Sequence, residues 1–323
     1  MPAPLDLDLR PATLDDVEMV ANLESARDPE DPRDPVMLRH WWTRRADQEV
    51  TRRLVAVRNG AAVAFVAAGH EDWKVMPKRF GWIRPVLDRD SWSDAGFRQL
   101  VETAEAWLRS EGAGRSVIRI REDFSNELET VGRAGYREER RQRISELDLV
   151  AGRDALLAGA EASRRRMRDE GVTLLTLDED RDPERFTKLY ELSNASEQDI
   201  PTSVPIRIMP FVEWKHELLD DPGVREDRFH IAREGDAIVG LSVIGYPPVR
   251  GLPWTFYTGT SKAVRGRGIA RALKYETVAQ AIELGVERIR TNNDAANVPI
   301  LRINEEMGYR LVRPLIELHR ELS

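Results

Sequence analysis

The chain has 323 residues, is 41% hydrophobic and 33% charged, and carries a formal net charge of −7; that is enough apolar material for a core and gives no global attraction for nucleic acid or an anionic membrane. It holds no cysteine, and its five histidines (His40, His70, His216, His230, His319) show no ligand spacing, which excludes disulfides and thiolate nucleophiles and leaves no metal expected. No apolar run approaches the roughly 18–20 residues of a membrane span, and MPAPLDLDLR at the N-terminus lacks a basic, apolar leader, so a cytoplasmic protein is expected.

In chain order, the sequence predicts a strand around Leu5–Arg10 and a helix whose start is capped by Thr13-x-x-Asp16. A further helical stretch carries His40, Trp41 and Trp42. A hairpin spans Arg53–Gly69 and turns at Asn59-Gly60, because both residues tolerate positive φ. After a strand at Phe80–Leu87, Ser93 caps a helix to about Ser110, with Phe97, Leu100, Val101, Ala104 and Leu108 spaced for one apolar face. A strand at Ser116–Ile120, a short helix from Ser125 and a strand from Tyr136 follow.

A helix is expected over Arg153–Glu170, with the run Arg164-Arg165-Arg166 and Arg168. It reads either as a solvated connector or, more sharply, as a phosphate or nucleic-acid contact diluted by Glu161, Asp169 and Glu170. Beyond it come a strand at Val172–Leu177 and a helix opened by Asp182-Pro183, with proline at its first position. A helix at Phe211–Leu219, a hairpin at Phe229–Ile244, a strand at Trp254–Thr260 and a long helix from Arg267 to Leu284 come next. Strand Arg288–Thr291, helix Val298–Met307 and strand Tyr309–Leu318 close the chain.

The two halves repeat each other. RRLVAVRNGAAVAFVAAG, from Arg52, resembles RFHIAREGDAIVGLSVIG, from Arg228, with turn glycines Gly60 and Gly235 offset by 175. Ala134-Gly135-Tyr136-Arg137 matches Met307-Gly308-Tyr309-Arg310 at an offset of 173. Two anchors in order at nearly one offset indicate a duplicated domain. The expected division is 1–150, a connecting helix 151–170, and 171–323, each copy of mixed α+β (α/β sandwich) class.

The chemistry concentrates in Thr258-Gly-Thr-Ser-Lys-Ala-Val-Arg265-Gly266-Arg267-Gly268-Ile269-Ala270, between a strand and a long helix. Glycines let the backbone approach a ligand, and the helix N-terminus offers free N–H groups and positive charge, which suits pyrophosphate. No Lys-Ser/Thr follows, so a P-loop is excluded, and Arg271 breaks G-x-G-x-x-G/A. Arg265-x-x-Gly268-x-Ala270 fits R/Q-x-x-G-x-G/A in full; the plain alternative is a basic surface turn.

That pattern resembles the acyl-CoA pyrophosphate loop of the GNAT acetyltransferase superfamily. The segment Asn297-x(6)-Asn304-x(3)-Gly308-Tyr309 is similar to the family's closing segment. The resemblance covers 171–323 and implies two tandem GNAT folds, each a mixed, splayed sheet flanked by helices, with acyl-CoA in the splay of the second. It further implies that Thr258, Gly259 and Thr260 pair with pantetheine, that Arg265, Gly266, Arg267, Gly268, Ile269 and Ala270 hold the pyrophosphate, and that Asn297 and Asn304 face the cofactor. In the first copy Trp92-Ser93-Asp94-Ala95 replaces Arg265-Gly-Arg-Gly268. An acid there repels phosphate, so this copy is expected to keep the fold and to have lost the cofactor.

Many family members carry a Tyr acid where Asn304 stands, and an amide is no acid; Tyr309 or Tyr257 is the alternative, or the thiolate leaves unaided. No carboxylate lies in Leu252–Thr260. Glu197 and Asp199 are therefore base candidates, against a plain polar loop; His230 is another, against a packed strand histidine, and water needs no base at all. Trp214 and Phe211 read as acceptor-site walls or as core, and Trp254 and Tyr257 face opposite sides if alternation holds. The expectation is direct acetyl transfer from acetyl-CoA, or another short acyl-CoA, to a small-molecule amine by a monomer or homodimer. Non-catalytic acyl-CoA binding and protein acetylation stand as alternatives.

Overall fold

The computed structural model describes residues 7–43, 49–204 and 206–322. The first half runs β1 (Arg10–Pro11), α1 (Val17–Arg27), α2 (Pro35–Thr43), β2 (Glu49–Arg58), β3 (Ala61–Glu71), β4 (Phe80–Leu87), α3 (Asp94–Ser110), β5 (Arg115–Arg121), α4 (Ser125–Arg133) and β6 (Arg137–Asp148). α5 (Arg153–Asp169) leads to β7 (Val172–Thr176), α6 (Arg185–Glu197), α7 (Phe211–Leu219), β8 (Phe229–Glu234), β9 (Ala237–Gly245) and β10 (Trp254–Thr260). Then follow α8 (Ile269–Glu283), β11 (Arg288–Asp294), α9 (Val298–Met307), β12 (Arg310–Leu311) and β13 (Leu315–Glu321).

Local chemistry sets most boundaries. The Thr13 N–H donates to the Asp16 carboxylate at 2.8 Å, and Ser93 Oγ accepts from the Gly96 N–H ahead of α3. Asn59 and Gly60 both take positive φ, 51° and 78°, as the β2–β3 turn demands. Three expectations differ. Leu5 and Asp6 lie outside the described residues, and β1 is short because the Leu7 backbone pairs with the Gln99 side chain, at 3.0 and 3.1 Å, rather than with a strand. Pro183 does not open α6, since the Asp182 carboxylate accepts from the Glu184 N–H at 2.8 Å and holds a turn there, so the helix starts at Arg185. The closing strand is split at Val312–Pro314, where proline offers no N–H.

All the strands join one sheet, in the order β1-β2-β3-β4-β5-β13-β6-β11-β10-β9-β8-β7, with β12 beside β6. The chain's last strand, β13, lies between β5 and β6, while β6 runs antiparallel along all of β11. Each half's final strand thus borders the other half's fifth. The exchange reaches the cores. Ile316, Leu318 and Leu322 pack with Leu100, Ile118 and Tyr136, and Leu147 and Leu149 pack with Val278, Ala281 and Ile289. Each such burial contributes roughly 1.5–3 kcal/mol.

Charge pairs pin the same seam. Glu317 of β13 is buried and receives hydrogen bonds from Arg119 of β5 at 2.7 Å and from the Ser203 hydroxyl, with His319 Nε2 at 3.0 Å. Burial raises its pKa, but these partners outweigh burial and hold it at about 2. α1 and α2 cover one face of the first half, α3 and α4 the other. In the second half α6 and α7 cover one face, and α5 packs on α8 across the other, where Arg164 binds Glu276 at 2.8 and 2.9 Å.

Two expected outcomes follow from the exchange. Leu318→Ala, a change in the last strand, should destabilise the first half's core by roughly 2–5 kcal/mol in urea unfolding. Stability should also fall as pH drops from about 4.5 to about 2, because Glu317 binds its proton more weakly when folded.

Candidate functional site

β10 and β11 are parallel neighbours only at Trp254–Arg290 and Thr255–Thr291. Beyond that they part. β10 stays paired with β9 to Thr260, with a bulge between Thr255 and Tyr257, while β11 stays paired with β6 to Asp294. The bulge bends β10 away and leaves the edge that faces β11 without a strand partner. A cleft of 810 Å³ lies along this opening and over the start of α8.

The turn before α8 is built for close backbone approach. Val264 is buried and anchors it, and Gly266 and Gly268 take φ of 82° and 89°, which L side chains rarely adopt. No side chain caps α8, so its first N–H groups and its positive dipole end face the cleft. Arg166, Arg265, Arg271 and Arg302 add positive charge to the walls. Arg166 comes from the connecting helix and approaches within 3.2 Å of where a Gly268 side chain would stand, so part of the arginine run borders the glycine turn.

Thr258, Gly259, Thr260, Arg265, Gly266, Gly268, Ile269, Ala270 and Asn297 all line the cleft. Two of the residues singled out in the sequence do not line it. Arg267 turns to Glu234 at 3.0 Å and Glu170 at 3.2 Å. Asn304 is buried on α9 and donates to Asn293 Oδ1 at 2.7 Å.

The equivalent turn of the first half is filled by its own side chains. Ser93 caps α3, and Asp94 accepts from the Thr130 hydroxyl at 2.5 Å and from Arg133 at 3.2 Å. A phosphate would meet a carboxylate there and an N-terminus already capped.

The acid and base candidates are scattered. The Tyr257 hydroxyl donates to Ser196 Oγ at 2.8 Å in the cleft, and burial pushes its pKa up to about 12. Tyr309 is buried outside the cleft, and burial raises its pKa further. Asp199 is bonded by Lys262 at 2.9 Å and Arg265 at 2.6 Å, which lowers its pKa and ties it to the turn. Glu197 accepts from the Ser193 hydroxyl at 3.1 Å within α6. His230 faces Gln280 of α8 at 3.2 Å, and burial lowers its pKa. It is a packed strand histidine, as Trp214 and Phe211 are core side chains against Tyr190.

Two groups escaped the motif reading. Lys274 of α8 is 1% exposed, and burial brings its pKa down to about 7. It lines a polar cavity of 180 Å³ between β10 and β11 that shares Tyr257, Thr258 and Asn297 with the cleft. On its other side that cavity shares Thr255, Phe256 and Asn292 with a chamber of 630 Å³ between the halves. Asp31, from the first half, stands in this chamber; it accepts from Trp254 Nε1 at 3.3 Å, and burial raises its pKa. The chamber's rim is fixed by Asp34, whose carboxylate takes the N–H groups of Val36 and Met37 at the start of α2 and of Val249 and Arg250 in the second half.

Residues 165–309 match the family model described as the acetyltransferase (GNAT) family. Over those residues, a little under half of the chain, the sequence is similar to the GNAT acetyltransferase family. That family is one of acyltransferases, and its donor is an acyl-CoA. A GCN5-related N-acetyltransferase from Sphaerobacter thermophilus matches 99% of this chain and 98% of its own at 19% identity and a TM-score of 0.70. A tandem GNAT protein from the clavulanic acid biosynthesis pathway matches 98% of this chain and 99% of its own at 14% identity and a TM-score of 0.72. At such identities the two share the fold, so the GNAT layout extends over both halves. No curated protein matches the sequence, and among the described residues no helix is long and apolar enough to cross a membrane.

Lys274→Met should raise the melting temperature near neutral pH, because it removes a buried ammonium with no counter-charge. The unfolded chain binds a proton there up to about pH 10.4 and the folded chain only to about 7. Wild-type stability therefore rises with pH across that window, and the gap between variant and wild type should narrow in melts from pH 7 to 10.

Proposed function

We propose that the protein transfers an acetyl group from acetyl-CoA directly to the amine of a small molecule. The donor would lie in the cleft of residues 171–323, and residues 1–150 would act as a lobe that holds no donor but walls the acceptor chamber and supplies Asp31 to it, with 151–170 connecting them. The observation that carries this reading is the uncapped, two-glycine start of α8 at one end of the β10–β11 opening. The N–H groups from Arg265 to Ala270 suit a pyrophosphate, and Arg166, Arg271 and Arg302 suit the remaining phosphate charge. The free edge of β10 from Phe256 to Thr260 suits the amides of pantetheine, which would add along it as a strand does.

An acyl end placed between Thr255 and Asn292 would open toward the inter-lobe chamber. Asp31 is the carboxylate that faces this end, although β10 supplies none. Its burial raises its proton affinity, which suits a base that takes a proton from an ammonium. The neutral amine then attacks while Asp31 holds the position of the amine. A chamber closed on one side by the first half favours a compact acceptor over a protein segment.

Calorimetry tests the donor site. Gly268→Glu forces a side chain into left-handed backbone, at roughly 1–2 kcal/mol, and adds a negative charge. Acetyl-CoA affinity should fall at least about tenfold, and an unchanged affinity would remove the turn from the site. Release of CoA against a panel of small amines tests the reaction. Asp31→Asn should lower kcat/KM by roughly 10²–10⁴ while donor affinity holds.

A further inference from the structure

A buried cation with no anion beside it is costly unless an anion arrives during function. Lys274 is such a cation. Its side chain enters the polar cavity between β10 and β11, where Nζ lies 4.8 Å from the centre of the Tyr309 ring. Among the described residues no carboxylate pairs with it. Asp294, in the same cavity, is held by Arg140 of β6 at 2.5 Å. Tyr257 is turned to Ser196, and Tyr309 presents its ring. Those are the titratable groups that face Lys274 from β6, β10, β11 and the start of β12. Asn304, standing where the resemblance would place a tyrosine acid, is bonded to Asn293 in the wall of the same cavity.

Building on the function proposed above, we infer that Lys274 meets the sulfur of the acyl donor and protonates it as it leaves. Lys274 gives its Nζ proton to sulfur as the C–S bond breaks and that bond's electron pair stays on sulfur; it then regains a proton from solvent through the cavity. The acceptor nitrogen, starting as an ammonium, loses two protons by way of Asp31 to solvent. One proton goes to sulfur, so the turnover releases one. The lowered proton affinity of Lys274 suits this exchange near neutral pH.

The test needs no acceptor. CoA with its free thiol is bound to the full chain, and thiolate absorbance is followed as pH rises. In wild type, the bound thiol should ionise below free CoA, because the Lys274 ammonium and the thiolate favour each other. In Lys274→Met it should ionise at or above the free value. Lys274→Gln, which keeps a polar side chain in the cavity, should behave as Lys274→Met does. Identical thiol titrations in wild type and both variants, with CoA still bound, would overturn the inference and leave the functional reading standing. Failure of wild type to bind CoA would overturn the functional reading, and this inference with it.

Discussion

The parting of β10 from β11 is the constraint on which the rest depends. Each of the two strands is held along its outer edge, β10 by β9 and β11 by β6, and the two are joined only where the first residues of β10, Trp254 and Thr255, meet Arg290 and Thr291 in the middle of β11. The bulge after Thr255 sets the angle. Closing the gap would break one of these outer ladders, so the gap is a fixed property of the sheet. Backbone groups on its inner edges need partners, and an extended ligand with amides can supply them. The α8 turn stands at one end of the gap and the inter-lobe chamber at the other. A donor with phosphate at one end and a reactive acyl group at the other matches that polarity.

The exchange of final strands explains why the gap can be so fixed. β6 comes from the first half, yet it is the strand that keeps β11 straight along its whole length. β13 repays the contact by lying in the first half's sheet. The halves therefore share cores and charge pairs rather than touch across a wet interface. On the functional reading proposed here, this rigidity lets a half with a filled, capped α3 start still serve catalysis. It brings Asp31 to a site whose own strand has no acid.

Much of the fold was legible because it is local. Asn59-Gly60, Ser93, Gly268 and the apolar spacing of α3 each act within a turn or two, and the elements fall where such signals place them. The glycine-arginine turn was legible for the same reason, and nine of the eleven residues read as cofactor contacts line the cleft. The strand exchange was not legible, because β6 and β13 carry the same alternation whichever neighbour they pair with. Arg267 turns away to Glu234 and Glu170 while Arg166 borders the turn, since which arginine reaches it depends on how α5 packs on α8. Lys274 looks like one more helix lysine until α8 is seen to bury it. Asp31 lies 223 residues from Trp254, and only the inter-lobe packing brings them together.

Amide hydrogen exchange with and without saturating acetyl-CoA tests the central claim most directly. The account predicts slower exchange from Gly266 to Leu273, at the start of α8, and no change from Ser93 to Gln99, at the start of α3. Protection at α3, or none at α8, would contradict it.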